Sequence, residues 1–159
     1  MKSELLKLLA KNARYTNAQL ADMLSKTEAE VEKEIKDYEK KGIINGYRAV
    51  IDWDSFDNAY VSAIVEVKTT PKKGVGYEET AMRFAEYREV EAAYLMSGSY
   101  DLHLTVKGKS LSEVARFVEN VIAAEEGVMS VTTHFVMRRY KELDTALVHS
   151  KDDRGQNAI

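Results

Sequence analysis

No cysteine occurs in the 159-residue sequence, which excludes disulfide bonds, thiolate nucleophiles and zinc sites built from thiolates. Long apolar runs are also missing, and no stretch approaches the roughly 20 residues that span a bilayer. The chain opens without a basic and then apolar leader, the pattern that marks a secreted protein. These absences favour a cytoplasmic protein with no membrane partner.

The overall charge gives no general sign of a nucleic-acid partner. The formal net charge is -3 at pH 7, whereas binding to a polyanion is favoured by a basic surface. Any argument for nucleic-acid binding must therefore rest on the charges of one segment of the chain. Apolar residues make up 45% of the chain, which is ordinary for a globular protein, and the length allows one domain or two small ones.

Two helix-start signals lie eleven residues apart near the N-terminus. Thr16-Asn17-Ala18-Gln19 and Thr27-Glu28-Ala29-Glu30 each fit a capping box, in which the hydroxyl and the later side chain cap one another's backbone. They predict helices over Asn17 to about Leu24 and over Glu28 to Lys41, the second ending at Gly42. Because only two residues separate these helices, they must cross steeply, as in a helix-turn-helix.

Further elements on both sides complete a DNA-binding type of domain. Helically spaced leucines in residues 2–12 predict a first helix. Asn45-Gly46 lies between apolar residues in the stretch 43–51, which is the strongest local signal for a hairpin. Three helices and a hairpin predict a winged helix-turn-helix domain over residues 1–51, followed by a linker over residues 52–58.

Beyond the linker, strand and helix patterns alternate. Strands are predicted from Ala59, over Glu89 to Ser97, over Tyr100 to Lys107 and over Val128 to Tyr140; helices are predicted around Tyr77 to Ala85 and over Leu111 to Ile122. The order β-α-β-β-α-β is that of a ferredoxin-like domain, here residues 59–141. Residues 142–159 lose periodicity, and we expect a tail that is partly disordered and frayed beyond Leu147. The predicted fold class is α+β.

One face of this sheet carries no helix and raises the question of a partner. We expect Ile64, Ala93 and Leu95 on that face, and apolar side chains are unusual on a sheet face left in water. A second copy of the chain packed on this face would explain them, which predicts a homodimer. Scattered surface apolar residues are the alternative.

Nothing in the sequence indicates an active site. The three histidines, His103, His134 and His149, are far apart and have no carboxylate at metal-ligand spacing on a shared helix face. Serines lack the sharp strand-to-helix turn of a nucleophile elbow. We therefore expect no catalytic residue, no metal site and no cofactor.

Several spaced motifs together resemble a known family. The second helix of that family is similar to Thr16-Asn17-Ala18-Gln19-Leu20-Ala21. The end of its third helix and its wing are similar to Gly42-Ile43-Ile44 with Gly46-Tyr47-Arg48. Its Gly-x-Tyr-Asp turn is similar to Gly98-Ser99-Tyr100-Asp101. Over roughly its first 140 residues the chain resembles the Lrp/AsnC family of bacterial and archaeal transcription regulators. The resemblance implies double-stranded DNA as one partner, and dimers that often assemble into octameric discs.

The resemblance also implies a small effector, usually an amino acid, bound between dimers near that turn. The candidate effector-binding residues are Gly98, Tyr100, Asp101, Gly127, Val128 and Thr133. Asp101 could hold an α-ammonium group, and glycines let backbone amides approach a carboxylate. Without the resemblance, Gly-Ser-Tyr-Asp is an ordinary hairpin turn in which Asp101 only bonds local backbone.

The predicted recognition helix departs from the family, whose third helix is commonly rich in arginine. Six acids and four lysines lie between Glu28 and Lys41, and affinity for DNA comes mainly from neutralising phosphates. Glu30 and Glu34 are expected to face the bases, where a carboxylate can accept from cytosine. The candidate DNA-binding residues are Arg14, Asn17, Thr27, Glu30, Lys33, Glu34, Lys36 and Arg48.

Two functions therefore remain open. The first is a regulator that binds DNA through its helix-turn-helix and responds to an amino acid. The second is an amino-acid-binding oligomer whose helical domain is vestigial or binds another partner, as the acidic helix would suggest.

Overall fold

A computed structural model describes residues 3–55, 60–71 and 73–147. The chain divides between Val50 and Ile51 into two compact units, called here the head unit and the sheet unit. Within the described residues, no helix is long and apolar enough to cross a membrane.

The head unit contains three helices around a small core. They are α1 (Glu4–Lys11), α2 (Asn17–Leu24) and α3 (Glu28–Lys40). Both capping boxes are formed as predicted, because Thr16 and Thr27 each accept from the backbone three residues on and receive the reciprocal bond. The core consists of Leu5, Leu20, Ala21 and Val31, each no more than 4% exposed.

The hairpin predicted over residues 43–51 is wrong. No strand forms there, because the end of α3 already uses the backbone groups that a first strand would need. The N–H groups of Ile43 and Ile44 both donate to the carbonyl of Tyr38, at 2.9 and 3.2 Å, and Gly42 has the left-handed φ of +65° that permits this cap. The amide of Asn45 donates to the Gly42 carbonyl at 2.9 Å instead of forming a turn between strands.

The sheet unit has the predicted β-α-β-β-α-β order. Its elements are β1 (Val61–Thr69), α4 (Glu78–Ala85), β2 (Val90–Leu95), β3 (Leu102–Gly108), α5 (Leu111–Phe117) and β4 (Val128–Phe135). The four strands lie in the order β2-β3-β1-β4, and all neighbours are antiparallel. Alternate residues of β1, namely Ala63, Val65 and Val67, are fully buried, as the alternation predicted.

The end of the second helix of the sheet unit and the end of its last strand differ from the prediction. The helix that begins at Leu111 continues after Phe117 as a π-helical turn over Val118–Ile122. The last strand ends at Phe135, and a short hairpin of β5 (Lys141–Glu142) and β6 (Thr145–Ala146) follows. This hairpin was missed because its turn residues, Leu143 and Asp144, adopt positive φ without the Asn-Gly signal that usually marks such a turn.

The tail beyond Leu147, predicted to be frayed, lies outside the described residues. The hairpin before it is tied to the unit, since Leu147 is buried and its N–H donates to the Tyr140 carbonyl at 3.0 Å.

The helix-free face of the sheet is more polar than predicted. Ala93 and Leu95 pair with Leu104 and Leu102, both core residues, and directly paired residues of antiparallel strands lie on the same face. The placement of Ala93 and Leu95 on the open face was therefore wrong. A register shift between Val90 and Ala92 inverts the alternation that the sequence suggests.

Candidate functional site

The recognition helix α3 separates its charges by face. Val31 is fully buried and Ile35 packs against the same core. Because an α-helix has about 3.6 residues per turn, the opposite side carries residues at positions 29, 33, 36 and 40. These are Ala29 and three exposed lysines, called here the lysine stripe (Lys33, Lys36 and Lys40). The face that points away from the core is thus basic, although the helix as a whole is acidic.

Glu34 does not project from this outer face. Its carboxylate accepts from Lys26, from the Tyr38 hydroxyl at 3.1 Å and from the Ser3 hydroxyl at 3.3 Å. It thereby joins the start of α1, the turn and α3. This placement differs from the expectation that Glu34 faces the bases.

Glu30 also bonds within the head unit. Its Oε2 accepts from the N–H of Thr27 at 2.8 Å and from the Thr27 hydroxyl at 2.9 Å, which is the capping box. Glu30 therefore caps the start of α3. Glu32 lies beside the stripe and accepts from Lys36 at 2.5 Å, an i,i+4 pair of exposed side chains that contributes little to stability.

The other DNA-contact candidates lie at element ends and in loops. Arg14 and Arg48 are exposed, Asn17 begins α2, and Thr27 precedes α3 as its N-cap. Residues 1–50 carry ten Lys and Arg against eight Asp and Glu, whereas residues 51–159 carry thirteen against eighteen. The local excess of positive charge is therefore in the head unit.

Glu34 should make the stability of the head unit depend on pH. The hydrogen bond from Lys26 lowers the pKa of Glu34 most, and bonds from Tyr38 and Ser3 add to this against the opposing effect of burial. A lowered folded-state pKa stabilises the fold above the unfolded-state pKa of about 4.3, and this contribution is lost as pH falls through the folded-state value.

We therefore expect Glu34→Gln to lower the free energy of unfolding of the head unit at pH 7 by about 0.5–1.5 kcal/mol. The loss of stability on acidification should be smaller than in wild type. Urea denaturation followed by circular dichroism at pH 7, 5 and 3.5 measures both effects. Glu28→Gln, which removes the same charge without touching Lys26, is the control; equal pH dependence in wild type and Glu34→Gln would contradict the prediction.

In the sheet unit, Asp101 anchors the turn between β2 and β3. It is 9% exposed; its Oδ2 accepts from the N–H of Thr69 at 2.9 Å, and its Oδ1 from Lys68 Nζ at 3.3 Å. The pKa of Asp101 is lowered, first by the Thr69 N–H and then by Lys68 and the Tyr77 hydroxyl, against burial. Asp101 is consequently an anion held at the end of β1.

Gly127 lies on the other side of the same strand end. The hydroxyls of Thr69 and Thr70 donate to its carbonyl at 2.9 and 3.0 Å, and the N–H of Thr70 does so at 2.9 Å. Gly127 has a φ of +89°, a conformation in which any side chain is strained. Val128 pairs with Thr69, so the end of β1 brings Asp101, Gly127 and Val128 together.

The remaining candidates differ in position. Gly98 is exposed and Tyr100 half-buried, both on the turn that Asp101 anchors. Thr133 pairs with Val65, four residues along β1 from Thr69, which is roughly 13 Å at about 3.3 Å per residue. The structure therefore brings five of the six candidates to one end of the sheet and leaves Thr133 towards its middle.

Sequence reasoning missed Lys68, Thr69, Thr70 and Tyr77, although all four contribute to this end of the sheet. No motif marks them, because their roles arise from pairing between residues about 30 and 60 positions apart in the chain. A register prediction for β1 against β3 and β4 is the signal that could have found them.

Comparisons with known proteins agree with this architecture. The sequence family Lrp/AsnC ligand binding domain matches residues 62–146, and a winged helix-turn-helix DNA-binding family matches residues 2–45. The HTH-type transcriptional regulator YugG of Bacillus subtilis, itself uncharacterized, is 40% identical over 153 residues, which cover 96% of this chain and 92% of YugG. The HTH-type transcriptional regulator LrpA of Pyrococcus abyssi is 31% identical over 86% of this chain and 94% of LrpA.

A solved structure has the same fold. The transcriptional regulator NMB0573 of Neisseria meningitidis, solved as a complex with L-methionine, superimposes with a TM-score of 0.68 at 22% identity and covers 87% of this chain and 88% of that one.

A helix-turn-helix head followed by a ligand-binding sheet domain defines a transcriptional regulator, a class that is not enzymatic in general. The chain belongs to the Lrp/AsnC family, which confirms the resemblance and the predicted fold class.

Proposed function

We propose that this regulator binds double-stranded DNA through the lysine stripe and responds to an amino acid held at the Asp101 end of the sheet. The observation that carries the DNA part is the sorting of charge on α3, which presents lysines outward. Helices of this motif lie in the major groove among phosphates, where outward lysines are favourable.

The alternative, a vestigial head on an amino-acid-binding oligomer, was raised by the acidic composition of α3. The outer face of α3 disfavours it, because the lysines lie on that face and the charge of Glu34 is offset by its ion pair with Lys26. We assign phosphate contacts to the stripe, with Arg14, Asn17, Thr27 and Arg48 as supporting contacts. Glu30 and Glu34 act by capping and bracing the helix.

The proposed effector site comprises Gly98, Tyr100, Asp101, Gly127 and Val128, with Thr133 as an outlying member. An amino acid is favoured because the site offers a carboxylate for an ammonium group, and because the similar Neisseria protein was solved with L-methionine. Leu95, Met96 and Met129 are exposed close to this end, and exposed apolar side chains favour cover by another subunit. We therefore propose a homodimer, with effectors bound between dimers and an octamer as the larger assembly, acting in the cytoplasm.

The lysine stripe gives the experiment for the DNA part. Replacing Lys33, Lys36 and Lys40 together by alanine should weaken binding to random duplex DNA and flatten its salt dependence. For each phosphate that the variant no longer neutralises, the slope of log affinity against log salt should become shallower by about one. Fluorescence anisotropy at several salt concentrations measures this slope.

The control for the stripe changes charge equally in the sheet unit. The variant in which Lys73, Lys109 and Lys141 become alanine should bind DNA as wild type does. Equal slopes for wild type and the stripe variant would refute the assignment of contacts, and absence of binding by wild type even at low salt would favour the vestigial head.

A further inference from the structure

Lys68 is the cationic side chain that pairs with Asp101, the carboxylate of the proposed effector site, which the Tyr77 hydroxyl also bonds. It lies on β1 directly before the irregularity at Thr69, on the same helix-free face of the sheet as Glu66 and Ser62. Its side chain is 42% exposed, whereas that of Asp101 is 12% exposed.

The two oxygens of Asp101 are held very differently. Oδ2 accepts from the backbone N–H of Thr69 at 2.9 Å in a buried bond, whereas Oδ1 accepts from Lys68 Nζ at 3.3 Å. A backbone donor in a strand is fixed, but a lysine side chain is long and has many rotamers. An ion pair with an exposed member is also weak. Oδ1 is therefore the oxygen that can exchange its partner.

A ligand that bonds Asp101 Oδ1 separates it from Lys68, so both charged groups need a partner once the ligand is bound. A ligand with only an ammonium group could take Oδ1, but it would displace the Lys68 ammonium and leave that charge unpaired. A ligand with only a carboxylate could take Lys68 and would leave Asp101 half-paired beside it. The second case is the costlier one, because the side chain of Asp101 is 12% exposed and would lose its cationic partner, whereas that of Lys68 is 42% exposed.

A zwitterion satisfies both groups at once. Its ammonium can bond Asp101 Oδ1, and its carboxylate, on the adjacent carbon, can accept from the displaced Lys68 ammonium. Each of the four charges then has an opposite neighbour, and the net charge of the site is unchanged. We infer that Lys68 and Asp101 together bind the two charged groups of a free amino acid. Lys68 binds the α-carboxylate and so makes the site specific for free amino acids over ligands that lack this group.

This inference rests on the proposed effector function, and the experiment separates the two. Thermal shift of the full chain is measured against the twenty L-amino acids, then against the α-amide and the N-acetyl form of each one that binds. The amide keeps the ammonium and loses the carboxylate charge, whereas the N-acetyl form does the reverse. A ligand that binds only the folded state raises the melting temperature.

In wild type we expect the free amino acid to bind at least tenfold more tightly than its amide, and the N-acetyl form to give no shift. In Lys68→Met the free amino acid should bind only as well as the amide, so that the discrimination disappears. Lys68→Arg keeps the positive charge and should restore part of it. Lys109→Met, at an exposed lysine of the same unit, should behave as wild type.

Two results for Lys68→Met would overturn the inference while leaving the effector function intact. An unchanged preference for the free amino acid over its amide would mean that groups other than Lys68 bind the α-carboxylate of the ligand. Tighter binding with the preference intact would mean that Lys68 only competes with the ligand. If no amino acid shifts wild type, the effector proposal fails and this inference fails with it.

Discussion

Replacing Asp101 by alanine is expected to lower the free energy of unfolding of the sheet unit by about 1.5–3 kcal/mol, the range for hydrogen bonds to a charged group. Asp101 is 9% exposed, and the loss of its carboxylate leaves the N–H of Thr69 without its acceptor. The variant should also give no thermal shift with any amino acid. Urea denaturation and thermal shift measure the two effects.

Glu119→Ala is the control for this prediction. Glu119 is an exposed carboxylate in the helical turn Val118–Ile122 of the same unit, so its removal should change stability by less than about 0.5 kcal/mol. If Asp101→Ala unfolds at the same urea concentration as wild type, Asp101 does not anchor the end of β1. If it keeps an amino-acid shift, the proposed site is misplaced.

Replacing Leu20 by alanine is expected to unfold the head unit alone. Leu20 is fully buried, one of four buried core residues in the described part of the head unit, and truncating a buried leucine costs about 2–5 kcal/mol. A unit of about 50 residues has a small free energy of unfolding, so this loss is close to the entire stability of the head unit. Binding to DNA should fall more than tenfold, while amino acids should still shift the transition of the sheet unit.

Met23→Ala tests the same helix at an exposed position. Met23 is 52% exposed on α2, and its truncation should leave both urea transitions and DNA binding unchanged. Helical signal by circular dichroism together with DNA anisotropy distinguishes the variants. A Leu20→Ala protein that binds DNA at wild-type affinity would show that this four-residue core does not hold the recognition helix in place.

Local signals in the sequence predicted the helices of the head unit well. The capping boxes at Thr16 and Thr27 are complete within four residues each, so no distant contact is needed to form them. The hairpin at Asn45-Gly46 failed for a reason that is also local. Ile43 and Ile44 give their N–H groups to the end of α3, a competition that an Asn-Gly pair cannot reveal.

Long-range pairing limited the prediction of the sheet and its site. The register shift between Val90 and Ala92 places Ala93 and Leu95 on the face of the sheet that carries the helices, and a strand pattern alone does not place such an irregularity. Asp101 and Gly127 were identified through a family motif, but Lys68 and Thr69 become visible only when β1 is placed beside β3 and β4.

The net charge of α3 gave a wrong indication of its fitness for DNA, whereas the positions of the charges around the helix did not. The acids of α3 suggested a helix unsuited to DNA, yet Glu34 pairs with Lys26 and the lysines lie on the outer face. The spacing of positions 33, 36 and 40 was already present in the sequence. Projecting it around the helix relative to Val31, rather than summing charges, would have given this result.

The affinity of wild type for duplex DNA, measured with and without each of the twenty amino acids, tests the account most directly. We expect binding whose log affinity falls linearly with log salt. At least one amino acid should change that affinity by about fivefold or more, the size of a typical coupling between two sites. Absence of DNA binding at low salt, or binding that no amino acid alters, would contradict a DNA-binding regulator controlled by an amino acid.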